Sequence, residues 1–374
     1  MFWYSVICVL PFTVCLIWTV IFLLDGRKGW TADRRMLCLF TAVSTLLYLG
    51  HAVHFLDAPP AFSLIDVLYA GVNLAVYPLF FLYLKTVADV KGVARRDWLL
   101  LLPAAFVFLF ALIVYLNGGC ESAVKSVFLC NKIFFPLTVL YTLVAGQILL
   151  RKYNKSIRNF YAETEKKTLE DLSVLLLLFV ITSLLSTVVS IIGRDAFAGR
   201  FPLAIPSLLF SALLFSVCYV ASRLPFTAQD MMRDLGLESD KEIEEPAVEK
   251  PQEDASASPE GLHAELMQRL DAMVREKKLY KKQGLKITDL AALAGTNRTY
   301  VSNAINQQLG LTFSEYINRL RVEEAKRLIR ESDGKMVMVA VAEESGFIGE
   351  ASFYRHFRQL EGMTPMEWWQ SIEQ

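Results

Sequence analysis

The sequence predicts an all-α protein in two parts: a seven-helix transmembrane bundle, then an all-helical soluble domain containing one helix–turn–helix pattern twice. Three observations carry this prediction. The composition is 54% hydrophobic, 12% aromatic and only 20% charged, too apolar for one globule in water. The apolar residues fall into long runs confined to the first two-thirds of the chain, and the last third is ordinary polar helical sequence. Within that last third, a small-residue helix, a glycine and a second helix recur about fifty residues apart.

The apolar runs lie at residues 2–24, 36–56, 64–87, 98–116, 127–150, 172–192 and 201–221, each long enough or nearly so to cross hydrocarbon as a helix. Pro78, Pro136 and Pro206 fall inside them, where neighbouring helices satisfy the freed carbonyls, so kinks rather than breaks are expected. The loops alternate in basic charge. Arg27, Lys28, Arg34 and Arg35 occupy the first, residues 57–63 carry no base, and Lys91, Arg95 and Arg96 occupy the third. Lys125 stands alone in the fourth, Arg151, Lys152, Lys155, Arg158, Lys166 and Lys167 crowd the fifth, and Arg194 and Arg200 mark the sixth. Basic loops stay on the cytoplasmic side, so the N-terminus is expected outside and the C-terminus inside. The first run has no basic stretch ahead of it and reads as an anchor, not a removable signal. Trp3, Trp18, Trp30 and Trp98 sit near segment ends as interface anchors.

Polar residues at membrane depth mark a candidate signal pocket. His51 and His54 are three apart on one helix face, Asp57 continues it, and Asp66 and Asn73 lie on the next segment. The alternative is a set of interhelical hydrogen bonds, and two histidines with one carboxylate at this spacing define no metal site. Cys8, Cys15, Cys38 and Cys218 read as packing residues. Cys120 and Cys130 bracket an outside loop, where a disulfide and two free thiols are both open.

The domain boundaries follow: residues 1–224 for the bundle, 225–259 for a linker and 260–374 for the soluble domain. The linker holds Glu238, Asp240, Glu242, Glu244, Glu245, Glu249, Glu253 and Asp254 among prolines and small polar residues. Such a stretch buries too little apolar surface to fold alone. As a flexible tether of about 30 residues it spans roughly 30 Å.

In the soluble domain the first motif runs from Ile287 to Asn306. Ala291 sits on a short helix ended by Gly295, and Asn297 caps the next helix. Val301 and Ile305 face inward there, leaving Thr299, Ser302, Asn303 and Asn306 on the opposite face. The second motif places Ala342 four residues before Gly346, with Phe353 and Phe357 as its inward pair. Glu350, Ala351, Tyr354, Arg355 and Arg358 face outward. Between the motifs, Thr312 and Glu315 form a capping box that starts a helix expected to reach Arg330. Thr364 and Glu367 repeat the box before the final helix, with proline at its first position.

This arrangement resembles the AraC-type family of bacterial regulators. The residues that carry the resemblance are Asp289-Leu-Ala, Asn318-Arg-Leu-Arg-Val-Glu-Glu-Ala-Lys, Ser345-Gly-Phe, Ser352-Phe-Tyr-Arg-His-Phe-Arg and Gly362-Met-Thr-Pro, within roughly the last 110 residues. The resemblance implies that residues 298–307 and 350–359, beginning at Arg298 and Glu350, are recognition helices that read adjacent major grooves. Asn303 and Asn306 stand where basic residues are common, which suits adenine, and Arg355 suits guanine.

Double-stranded DNA, the bilayer, RNA polymerase, a second copy of the chain and an unidentified signal ligand are the expected partners, at a bacterial inner membrane. No cofactor or metal is expected. Nor is an enzyme, since His-Glu-x-x-His, Gly-x-Ser-x-Gly and phosphate-loop patterns are absent from the sequence. Acids and bases nearly balance in residues 261–374, so DNA affinity would rest on pairing of protomers and on local bases such as Lys277, Lys278, Lys281, Lys282 and Lys286. The alternative reading is a transporter or other membrane protein with an attached regulatory domain.

Overall fold

The computed structural model describes residues 2–25, 29–56, 62–192, 201–236 and 259–373. Fifteen α-helices and no strand occur among the described residues, so the all-α expectation holds. The chain divides into two compact units, Met1–Tyr153 with Leu169–Asp234, and Asn154–Thr168 with Leu235–Gln374.

The first unit contains α1 (Phe2–Asp25), α2 (Ala32–Leu56), α3 (Leu64–Ala88), α4 (Leu102–Leu116), most of α5 (Glu121–Phe160), α6 (Glu170–Ile192), α7 (Phe201–Ser222) and the short α8 (Ala228–Leu235). Six of the predicted runs, in α1 to α5 and α7, are long and apolar enough to cross a membrane. The seventh lies in α6, part of whose side chains fall outside the described residues. The helices continue through Pro11, Pro78, Pro136 and Pro206. Nothing in the sequence pointed to α8, which opens the stretch read as linker; residues 237–258 of that linker lie outside the described residues.

α3 is the enclosed centre of this unit. Its Phe80 packs on Phe40 of α2 at 5.2 Å and on Phe179 of α6 at 5.7 Å, and Tyr77 stacks on Phe179 at 5.1 Å. Aromatic pairs of this kind add to simple burial. Small residues such as Ala70, Ala104 and Ala111 line the buried seam among α3, α4 and α5, where their short side chains let the helices approach closely. The outward faces of α1, α4 and α5 are apolar, as at Ile17, Leu102, Phe106 and Ile148, each more than half exposed.

Cys120 and Cys130 are both free thiols. Cys120 directly precedes α5 and Cys130 lies within it. Ten residues of helical rise separate them by about 15 Å, far beyond disulfide reach, so the bridge that the sequence left open does not form.

The second unit is built from α9 (Pro259–Glu276), α10 (Ile287–Ala294), α11 (Arg298–Leu309), α12 (Phe313–Glu331), α13 (Met338–Glu344), α14 (Glu350–Glu361) and α15 (Pro365–Glu373), joined by residues 154–168. Three of the helix starts follow from local capping chemistry. Asn297 accepts a hydrogen bond from the Tyr300 amide at 3.0 Å and caps α11. Thr312 and Glu315 close their box at the start of α12, the Thr312 amide donating to the Glu315 carboxylate at 2.7 Å. At α15 the Thr364 amide donates to Glu367 in the same way, also at 2.7 Å.

Candidate nucleic-acid interface

Two helix pairs, α10–α11 and α13–α14, are each joined through a glycine at positive φ: Gly295 at 65° and Gly346 at 96°. The left-handed conformation there lets the second helix of each pair leave at an angle. In the first pair Leu290, Ala291, Ala294, Val301, Ala304 and Ile305 are buried. In the second, Val341, Ala342, Phe353 and Phe357 join Val322, Ala325 and Ile329 of α12 and Trp368 of α15 in one core. α12, with 19 residues, is a rod of about 28 Å between the two pairs. A spacer of that size is on the order of the 34 Å major-groove repeat.

The inward pairs Val301/Ile305 and Phe353/Phe357 are all at or near zero exposure, as the periodicity required. On α11, Arg298, Thr299, Ser302 and Asn303 are half-buried and Asn306 is exposed. On α14, Glu350, Ala351, Arg355 and Arg358 are exposed and Tyr354 is half-buried. These polar side chains are therefore more open on α14 than on α11. Among the local bases, Lys281 pairs with Glu324 at 2.6 Å and Lys282 with Asp289 at 3.0 Å. Glu324 also holds Arg327, and these partners, Arg327 first, keep its carboxyl down at about 2.

Sequence reading missed a further element of this unit. The end of α5 and the segment that follows it lie against the helices of both motifs. Tyr161 and Ala162 are almost fully buried, and the Ala162 amide donates to the Leu285 carbonyl at 3.1 Å. The Ala162 carbonyl accepts from Ser314 Oγ at 2.9 Å and from Asn318 Nδ2 at 3.1 Å. Arg321, at zero exposure in the middle of α12, donates Nη2 to Glu163 at 2.6 Å and Nε to the Tyr280 carbonyl at 2.6 Å. Further along, Glu165 accepts from Ser352 Oγ at 2.5 Å and pairs with Arg355. The Arg298 guanidinium lies over the Phe160 ring, 5.2 Å from its centroid. The signal was present in the sequence: Glu163 and Glu165 stand in a loop otherwise read only for its lysines and arginines.

Beside this contact, His356 stacks on Phe347 with centroids 6.0 Å apart. Its pKa is pushed down to about 4, chiefly by burial and then by Arg355, with Arg321 and Arg158 acting in the same direction and Glu165 against them. The folded value thus lies below the unfolded one. Between about 6.5 and 4 the unfolded chain binds a proton that the folded chain refuses, so the stabilisation present at neutrality is lost as pH falls through that window. Melting of the full chain in detergent near neutrality and near pH 5 should show wild type losing about 1–2 kcal/mol more than His356→Gln. Equal losses in the two proteins would contradict this.

The candidate signal-pocket residues that are described lie on α2 and α3. His51 lies edge-on to Tyr69 at 5.1 Å and tilted against Tyr48 at 5.8 Å. Asp66 accepts from the amide and hydroxyl of Ser63 at 2.8 and 2.7 Å, closing the N-terminus of α3. Asn73 donates to Asn131 of α5 at 2.7 Å, and Asn131 donates to the Ala70 carbonyl at 2.7 Å. The His54 side chain and Asp57 lie outside the described residues. No group of three or more His, Cys, Asp or Glu able to hold a metal occurs among the described residues.

The C-terminal unit thus carries two helix-turn-helix units on a shared central helix. Residues 290–371 match the family model described as a helix-turn-helix domain, and the AraC-type resemblance of the C-terminal region holds. The chain is similar to the HTH-type transcriptional regulator YisR of Bacillus subtilis (strain 168), 37% identical over 87 residues, 23% of this chain and 30% of that protein. It is also similar to YtdP of the same organism, another HTH-type transcriptional regulator, 32% identical over 81 residues, 22% of this chain and 10% of that one. An HTH-type transcriptional regulator of Staphylococcus aureus is 27% identical over 90 residues, 24% of this chain and 12% of that protein. The chain spans less than a third of the length of these curated relatives. No solved structure matches it.

Proposed function

We propose that this chain is a membrane-anchored, sequence-specific DNA-binding transcription regulator of the bacterial inner membrane. Residues 1–224 act as anchor and sensor, 225–259 as tether, and 260–374 as reader. The observation that carries the reading is the presentation of α11 and α14, each backed by its own core, at the two ends of α12. Six apolar helices with apolar outward faces support the anchor, and the alternation of basic loops supports a cytoplasmic reader. The near balance of acids and bases in the reader favours binding as a homodimer, with RNA polymerase as the downstream partner. The cue is a ligand or envelope condition sensed by the bundle, with His51, His54, Asp57, Asp66 and Asn73 as its candidate contacts. The chemistry is binding, not catalysis.

Arg355 is the assigned guanine reader and Asn303 the adenine reader. Full-length protein in nanodiscs should enrich a defined sequence from a random DNA library. Arg355→Ala should weaken binding to that sequence by about 1–3 kcal/mol and relax preference at a guanine position. Transport of a solute, with no DNA enriched and no transcript changed on deletion, would favour a transporter with a regulatory attachment instead.

A further inference from the structure

We propose that residues 160–165 are an internal competitor for DNA, docked on both recognition helices, so that Phe160 and Glu165 must leave before this chain reads its site. The inference rests on the DNA-binding reading above and adds its regulation.

The segment has two parts with different physical character. Ala162 and Glu163 form a buried anchor, fixed to Leu285, Ser314, Asn318 and Arg321. Phe160 and Glu165 flank that anchor and reach the readers themselves. Phe160 meets Arg298, the first residue of α11, and Glu165 meets Ser352 and Arg355 in the first turns of α14. The N-terminal residues of recognition helices are those that contact base edges. A carboxylate on Arg355 takes up guanidinium donors that would otherwise go to the O6 and N7 acceptors of a guanine edge or to phosphate oxygens. One guanidinium cannot serve both partners. A carboxylate left at that position would also face the phosphate backbone with like charge. Arg355 is 54% exposed and Glu165 30%, so this pair is solvent-screened and separable, unlike the Arg321–Glu163 pair at 0% and 8%. The segment joins α5 to α6, two helices of the apolar bundle, so it is covalently continuous with the candidate sensor.

The test uses full-length protein in nanodiscs and the DNA sequence enriched by it. Glu165→Ala should tighten binding by about fivefold, the scale of one exposed charge pair. In a Cys120→Ser/Cys130→Ser background, Glu165→Cys with Ser352→Cys should be joined by a short, reducible methanethiosulfonate bridge. The bridged form should bind DNA at least about tenfold more weakly than the same protein after reduction, since the pinned segment then opposes every contact of α14. Saturating DNA should slow formation of the bridge. Unchanged or weaker binding by Glu165→Ala, together with equal binding by bridged and reduced protein, would overturn the competitor while leaving the regulator reading intact. Failure of every form to enrich any DNA would sink the regulator reading and take this one with it.

Discussion

Replacing Arg321 by methionine is expected to lower the opening free energy of the C-terminal unit by about 3–5 kcal/mol, the range for removing one partner of a buried ion pair. The guanidinium is wholly enclosed, and burial lowers its pKa while Glu163 opposes that shift. Methionine fills most of the volume but leaves four acceptors behind: the Glu163 carboxylate, the carbonyls of Tyr280 and Lys282, and Asn318 Oδ1. Unsatisfied acceptors in a dry site keep their full desolvation cost. Hydrogen exchange on the full-length protein, followed in peptides from α12, reads this opening directly. The double variant Arg321→Met/Glu163→Met should recover part of the loss, because the stranded charge is gone while the neutral acceptors remain bare. A double variant as unstable as the sum of the two single ones would show that the pair does not couple.

This pair also marks where sequence reading stops. The capping residues Thr312, Glu315, Thr364 and Glu367, the turn glycines, and the inward pairs Val301/Ile305 and Phe353/Phe357 were legible because their partners lie within a few residues. Local geometry fixes such contacts, and periodicity reveals which face is buried. Arg321 and Glu163 are 158 residues apart, and no periodic pattern links a loop between apolar helices to the middle of α12. Arg321 enters the sequence reading only within the Asn318-Arg-Leu-Arg stretch that carries the family resemblance, with no partner attached to it. The outward positions of α14 were legible, but the pairing of Arg355 with Glu165 was not, for the same reason. Asp66 shows a related limit: the sequence marks it as a polar residue beside an apolar segment, and the structure adds that it accepts from Ser63 at the start of α3. The cysteine bracket misled because the reading placed Cys120 and Cys130 at the edges of a loop. α5 in fact begins at Glu121 and carries Cys130 along its length.

The two turn glycines look alike in sequence, and their replacements should behave very differently. At Gly295 a Cβ would meet nothing within 4 Å, so Gly295→Ala carries only the cost of a left-handed alanine, about 1–2 kcal/mol. At Gly346 the same Cβ would lie 2.6 Å from Lys281 Cα and 2.8 Å from the Tyr280 carbonyl oxygen. Those are backbone atoms of the turn that leads into the first motif, and the Tyr280 carbonyl is also the one that Arg321 Nε grips. No side-chain rotation can relieve that clash. Gly346→Ala must therefore push the two motifs apart or break the Arg321 contact, at a total of about 3–5 kcal/mol once overpacking is added to the φ cost. Amide protection in α10 and in α13 should fall together in Gly346→Ala, whereas Gly295→Ala should lower it mainly in α10 and α11. Because α14 leaves directly from this turn, the Gly346 variant should also lose specific DNA binding at temperatures where the Gly295 variant retains it. Similar losses in the two variants would mean that Gly346 serves only as a turn, with the mutual position of the motifs set elsewhere.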